Sequence, residues 1–160
     1  MAASIIKLWI TGSKIPFEVD AIGPMTFQQV KEKIRNAVNV EPERQNLYYN
    51  EVKMQDEHQV RQCVLDFFGY IELRVTPLPE NAKVTVLCKA RNRDVEAISI
   101  RETDTVESLR SKLSMTWGIP MEKIVLHRCG SHMEDDFPLS DYYVCEGAQV
   151  NVSITPSSPR

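Results

Sequence analysis

Apolar and polar side chains alternate in two short stretches near the start of the chain. The apolar positions are Ile6, Leu8 and Ile10 in the first stretch and Ile15, Phe17 and Val19 in the second. A period of two places every second side chain on one face, which is typical of a half-buried strand. Because Gly12 and Ser13 interrupt the alternation, the pattern predicts a β-hairpin with one buried face.

The pattern then changes to apolar spacings of three and four residues, at Phe27, Val30, Ile34 and Val38. These spacings align the side chains in one stripe along a helix. Thr26 and Gln29 form a capping box, so we expect the helix to begin directly after Thr26. Pro42 ends the helical pattern, and further strands are predicted at 47–49 and 71–75.

The same order of elements returns in the second half of the chain. Residues that match at a constant offset of 79 positions are Thr26 with Thr105, Leu47 with Leu126, Met54 with Met133, Val60 with Leu139, Leu65 with Val144, and Leu73 with Val152. The second helical stripe consists of Val106, Leu109, Leu113 and Trp117. A constant offset of this kind indicates two copies of one structural unit.

Each copy therefore predicts a mixed sheet curled around a single helix, which is an α+β fold. We expect the first domain at 1–76 and the second at 82–155, joined by a proline-containing linker at 77–81. Two prolines in the linker favour an extended connection. The polar, proline-rich stretch 156–160 is expected to be a disordered tail.

Several runs in the second copy resemble ubiquitin in order and spacing. They lie at 103–109, 118–120, 133–135 and 139–142. The first copy keeps Thr26, Phe27, Val30, Lys31, Ile34, Val40, Gln45, Leu47, Met54 and Asp56 at matching places, but Cys63 replaces the tyrosine of the LSDY-type turn. The chain thus resembles two tandem ubiquitin-like β-grasp domains.

A tandem arrangement of this size is similar to the interferon-induced two-domain ubiquitin-like modifiers. Members of that family act through a C-terminal Gly-Gly that is joined to lysines of other proteins. This sequence contains no Gly-Gly dipeptide, so we expect an interaction module or adaptor that is not conjugated. The resemblance links such a role to ubiquitin, proteasome or antiviral signalling, and a diverged protein modifier remains the alternative.

The resemblance also identifies the positions of ubiquitin's apolar receptor patch. The matching sheet positions carry Tyr48, Glu72 and Arg74 in the first copy and His127, Asn151 and Ser153 in the second. Receptors that dock an apolar helix on that patch are therefore expected to bind weakly or not at all.

A different surface is predicted on the first copy. Trp9 and Pro16 lie on the outward phase of the first and second strands, and the resemblance places Phe68 in a turn beside them. Together with Tyr48, these residues are our candidate partner-binding residues, because exposed aromatic clusters anchor protein contacts. The alternative is that the cluster packs against the second domain or the linker.

Charge and cysteine content restrict the other classes of function. The 160 residues include 19 basic and 22 acidic ones, and neither a basic stripe nor an apolar stretch of membrane-spanning length occurs. We therefore expect protein partners for a monomer, with no nucleic acid and no membrane. Four cysteines without Cys-x-x-Cys spacing are typical of reduced thiols, which favours the cytoplasm or the nucleus.

One segment of the second copy contains several side chains that can bind a metal ion. Its possible zinc ligands are His127, Cys129, His132, Asp135 and Asp136. The segment lacks the paired Cys-x-x-Cys spacing of a zinc knuckle, so we expect ordinary loop residues and no metal. No arrangement typical of a nucleophile, a phosphate loop or a carboxylate pair occurs, so we predict neither enzyme activity nor a cofactor.

Overall fold

The computed structural model describes residues 4–156, and the chain divides into two compact units between Pro77 and Leu78. Unit 1 contains β1 (Ile5–Thr11), β2 (Phe17–Ile22), α1 (Phe27–Val38), β3 (Gln45–Tyr49), β4 (Val52–Lys53), α2 (Val60–Cys63) and β5 (Phe68–Val75). Unit 2 contains β6 (Val84–Ala90), β7 (Glu96–Ile100), α3 (Val106–Trp117), β8 (Ile124–Arg128), β9 (Ser131–His132) and β10 (Gln149–Ile154). Apart from Pro156, the predicted tail lies outside the described residues.

Both units have the same sheet topology. The strand order is β2-β1-β5-β3-β4 in unit 1 and β7-β6-β10-β8-β9 in unit 2. The two central strands run parallel, and the remaining pairs are antiparallel. The α+β fold with two tandem sheet-and-helix units is therefore confirmed.

The core of unit 1 joins the α1 stripe to the inward face of the sheet. Phe27, Val30 and Ile34 are completely buried, as are Leu8 and Ile10 of β1. This burial confirms that the spacings of three and four face the interior, while the alternation of β1 supplies the opposing layer. None of the helices within residues 4–156 is long and apolar enough to cross a membrane.

The ends of the helices follow the predicted caps. Thr26 Oγ1 accepts a hydrogen bond from the Gln29 amide at 3.3 Å, and Gln29 Oε1 accepts one from the Thr26 amide at 2.9 Å. In unit 2 the Thr105 side chain accepts a hydrogen bond from the Ser108 amide, and Gly118, which follows α3, has a φ of +68°. The predicted helix starts are confirmed because these groups satisfy amides that the helix itself leaves unpaired.

Trp117 was expected in the buried stripe of α3, and this prediction is wrong. Its ring is half-buried at the edge of unit 2, where Nε1 donates a hydrogen bond to Glu96 at 3.2 Å and the Arg93 guanidinium lies 5.1 Å from the ring centroid. The indole N–H needs a hydrogen-bond partner, which the edge supplies and an apolar core would not. Val38, the matching residue of unit 1, has no such group and is buried.

Tyrosine and cysteine side chains complete the core of unit 2. The ring of Tyr142 is buried, and its hydroxyl accepts a hydrogen bond from the Glu134 amide at 2.9 Å. No disulfide bond joins any of the four cysteines, which all lie within residues 4–156. Burial raises the pKa of Cys88 to about 12, so this thiol is neutral at pH 7 and packs as an apolar group.

The capping box of α1 allows a direct test of the fold. Replacing Thr26 with Ala should lower the free energy of unfolding of unit 1 by about 1 kcal/mol, because the amide of Gln29 loses its partner. Denaturant titration of Trp9 fluorescence in a Trp117→Phe background measures the transition of unit 1 alone. Gln28→Ala, at an exposed position in the same turn, is the control, and an equal effect of both changes would contradict the role of the cap.

Candidate functional site

The outward face of the unit 1 sheet carries three aromatic residues on its two central strands. In the pairing of β1 with β5, Lys7 lies opposite Phe68, and Trp9 lies opposite Tyr70. Because side chains alternate along a strand, these four residues share the face opposite α1. We call Trp9, Phe68 and Tyr70 the aromatic face.

The rings of the aromatic face remain accessible to solvent. Phe68 is 42% exposed and Tyr70 is 62% exposed, while Trp9 is half-buried. The rings of Phe68 and Tyr70 meet edge to face, with their centroids 4.9 Å apart and an interplanar angle of 85°. This contact orients the two rings, yet it leaves most of the Tyr70 surface available to another molecule.

Two of the predicted site residues lie differently from expectation. Phe68 is the first residue of β5, so its predicted place in a turn is wrong. The strand extends three residues further back than the alternation at 71–75 indicated. Pro16 is exposed but directly precedes β2 instead of lying on it. Trp9 pairs with Glu18, and Pro16 lies two residues before Glu18 in the chain. Pro16 is therefore not opposite Trp9 and lies outside the aromatic face.

Tyr48 belongs to a separate group of side chains. It lies on β3 opposite Glu72 of β5, and the Arg74 guanidinium lies 3.9 Å from the centroid of its ring. Arg74 also forms an ion pair with Glu72 at 2.9 Å, and this hydrogen bond raises the pKa of Arg74. The three residues satisfy one another, so this part of the sheet presents a polar surface.

Charged residues border the aromatic face on the side of β2. The Lys7 ammonium lies 3.0 Å from Glu18 and 3.4 Å from Asp20, both on the outward face of β2. The hydrogen bond to Glu18 is the main cause of the raised pKa of Lys7. Two carboxylates thus share one ammonium beside Trp9.

Tyr70 was missed by the sequence analysis. The outward residues Phe68, Tyr70, Glu72 and Arg74 form a continuous alternation, but the glycine at 69 interrupts the matching apolar series that marks the inward face. A methyl group at Gly69 would lie 2.9 Å from a Val64 side-chain carbon, so the glycine makes room for Val64 below the aromatic face. The alternation of the outward residues, from Phe68 to Arg74, was the signal that could have identified Tyr70.

A one-residue difference between the units exposes a further apolar side chain. The constant offset matches Leu65 with Val144, yet Leu65 is 86% exposed, whereas Val144 is buried. In unit 1 the helix α2 leads directly to Val64, which fills the core position instead. In unit 2 the residue that matches Val64 is Tyr143, which has a φ of +54° and is buried together with Val144.

The equivalent face of unit 2 lacks the aromatic rings. At the constant offset, Gly147 matches Phe68 and Gln149 matches Tyr70, and Gln149 pairs with Leu87 as Tyr70 pairs with Trp9. The positions of Trp9 and Tyr70 thus carry an aliphatic and a polar side chain in unit 2, and Gly147 lies in the turn before β10 with a φ of +77°. The aromatic face is a feature of unit 1 and not a requirement of the fold.

The histidine-rich segment of unit 2 forms a small ring contact. His127 and His132 lie opposite each other on β8 and β9, with their ring centroids 5.8 Å apart. Among residues 4–156, no group of three or more histidine, cysteine, aspartate and glutamate side chains is arranged to hold a metal ion.

Comparison with known proteins identifies a family and solved structures of similar fold. A model of the ubiquitin family matches residues 5–77 and again residues 84–157, so each match falls within one compact unit. The chain is also similar to the solution structure of the N-terminal ubiquitin-like domain in the 4931431F19Rik protein. That similarity has 20% sequence identity and a TM-score of 0.47, and it covers 52% of this chain and 85% of that chain.

The exposure of Tyr70 predicts that its ring contributes little to folding. Tyr70→Ser should change the free energy of unfolding of unit 1 by less than about 1 kcal/mol, because the ring keeps only cross-strand and Phe68 contacts. Denaturant titration in the Trp117→Phe background measures this change. Ile71→Ser, at the neighbouring buried position, is the matched control and should destabilise unit 1 severely. Comparable losses in both variants would show that Tyr70 is a core residue.

Proposed function

The chain belongs to the ubiquitin family, with one family domain in each unit, and from this premise we propose that it acts as a non-covalent protein-interaction module. The aromatic face of unit 1 is the proposed contact surface. Trp9 and Phe68 were predicted partner-binding residues, and Tyr70 joins them as the most exposed of the three. Binding would remove apolar ring surface from water, which favours association.

One observation carries this proposal, namely the difference between two copies of one fold. Unit 2 forms a sheet of the same topology with Leu87 and Gln149 at the positions of Trp9 and Tyr70, while Gly147, which matches Phe68, lies in the turn before β10. The rings are therefore not needed for the sheet to form, and leaving them exposed carries a risk of aggregation. A role in contacting another protein explains why unit 1 carries them.

The polar side chains around Tyr48 favour a contact surface different from the one that ubiquitin uses for its receptors. Arg74 contacts both the Tyr48 ring and the Glu72 carboxylate. A receptor helix with an apolar face would have to remove water from this charged pair without replacing its hydrogen bonds, which costs free energy. We propose that partners bind at the aromatic face and not at the position of the ubiquitin receptor patch.

A capture experiment with the full chain tests the proposed surface. Immobilised wild-type chain should retain a set of proteins from a cell extract, and the Trp9→Ser, Tyr70→Ser double variant should lose them, because the anchor rings are gone. The matched control is Leu87→Ser with Gln149→Ser, which alters the equivalent face of unit 2. Retention of the same proteins by all three chains would refute the proposal, provided that denaturant titration shows both variants to be folded.

The alternative function is a diverged protein modifier, which membership of the ubiquitin family favours. An activating enzyme forms a thioester with the C-terminus of a modifier, and a slim Gly-Gly ending suits its narrow channel. We expect the 160-residue chain, which contains no Gly-Gly dipeptide, to form no such adduct with the ubiquitin-activating enzyme and ATP. Electrophoresis without reducing agent detects the adduct, and ubiquitin is the positive control. An adduct that disappears on reduction would favour the modifier.

A further inference from the structure

We propose that the aromatic face binds a partner segment in which a large apolar side chain is accompanied by an arginine or a lysine. The apolar side chain would pack on Phe68 and Tyr70, and the cation would lie over Trp9 beside the carboxylates of β2. This inference rests on the proposed function, and it adds the chemistry of the partner.

The first argument is the charge balance on β2. Glu18 and Asp20 share the single ammonium of Lys7, at 3.0 Å and 3.4 Å, so the group carries one excess negative charge. The side chains of Glu18 and Asp20 are 38% and 53% exposed, so a second cation can reach them from solvent. Ion pairs exposed to this degree are weak, and the carboxylates remain free to turn towards a partner.

The second argument is the position of Trp9 between the carboxylates and the other rings. Trp9 pairs with Glu18 on one side and with Tyr70 on the other, which gives the row Glu18, Trp9, Tyr70 across three adjacent strands. Neighbouring strands lie about 4.8 Å apart, so a cation above the indole is within reach of both the ring face and a carboxylate. A cation at this position is attracted both by the face of the indole ring and by the carboxylate.

The third argument comes from the opposite side of the face. There Glu72 is paired with Arg74, and Arg74 covers the ring of Tyr48, so the charges of β5 and β3 are already balanced. A partner cation gains less on that side and meets the positive charge of Arg74. The charge pattern therefore gives the partner segment a direction, with its basic residue towards β2 and its apolar residue towards β5.

The equivalent face of unit 2 lacks both parts of this arrangement. Ala97 and Ser99 occupy the positions of Glu18 and Asp20, and Thr85 and Leu87 occupy those of Lys7 and Trp9. At these strand positions unit 2 has neither the two carboxylates nor the indole ring, so it lacks the row that would attract a cation. The specificity is thus assigned to unit 1.

Three matched peptides test this inference on the full chain. In the Trp117→Phe variant, Trp9 is the only remaining tryptophan, so its fluorescence reports binding at the aromatic face. The probes are short amphipathic peptides without tryptophan or tyrosine, with leucines on one side and arginine, glutamine or glutamate at the flanking positions. We expect the arginine peptide to bind on the order of tenfold more tightly than the glutamine peptide, and the glutamate peptide to bind most weakly.

A charge variant identifies the groups responsible. Glu18→Gln with Asp20→Asn should reduce the advantage of the arginine peptide to about twofold or less, since both carboxylates are removed. Glu41→Gln with Glu57→Gln removes the same charge at two other exposed positions of unit 1 and should preserve the advantage. Equal losses in both variants would assign the effect to net charge and overturn the inference.

The remaining outcomes separate this inference from the proposed function. Equal binding of the arginine and glutamine peptides, abolished by Tyr70→Ser, would overturn the preference for a cation and leave the aromatic face as a binding surface. Tightest binding of the glutamate peptide, or no response of Trp9 to any peptide, would also overturn the inference. The capture experiment tests the proposed function separately, because its outcome does not depend on the charge of the partner.

Discussion

The parallel pairing of β1 with β5 is the constraint on which the rest of unit 1 depends. It joins the first and last strands at the centre of the sheet and places Trp9 opposite Tyr70. Because side chains alternate, the same register that buries Leu8 and Ile71 exposes the three rings. A slip by one residue would exchange the two sets, so burial of the core also fixes the composition of the outer surface.

Local patterns in the sequence predicted most of the fold. The two helices were identified because their stripes and threonine caps act over three or four residues, and such short-range signals survive folding unchanged. Trp117 fitted the stripe of α3 but left the core, because the pattern of apolar residues does not represent the hydrogen-bonding need of an indole N–H. Burial of a mixed side chain depends on partners that are distant in the sequence.

The candidate site was less predictable than the fold, because local patterns did not show all of its residues. Trp9 and Phe68 were recognised as aromatic residues on outward positions, whereas Tyr70 was missed because Gly69 breaks the apolar series of β5. The exposure of Leu65 was hidden by the constant offset, since an alignment without gaps cannot represent a core position filled by the preceding residue, Val64. Leu65 and Tyr70 both lie between α2 and the middle of β5, where the two copies differ, because β5 begins at Phe68 and β10 begins only at Gln149.

Gly69 has a consequence for how this surface could change over time. A Cβ atom at this position would lie 2.9 Å from Val64 Cγ1, so a side chain here would have to displace a buried residue. Natural variation at this position is therefore limited by the interior, while Phe68 and Tyr70 on either side are free to exchange for other residues. Such a site would permit recognition to diversify among descendants of this chain without rebuilding the domain beneath it.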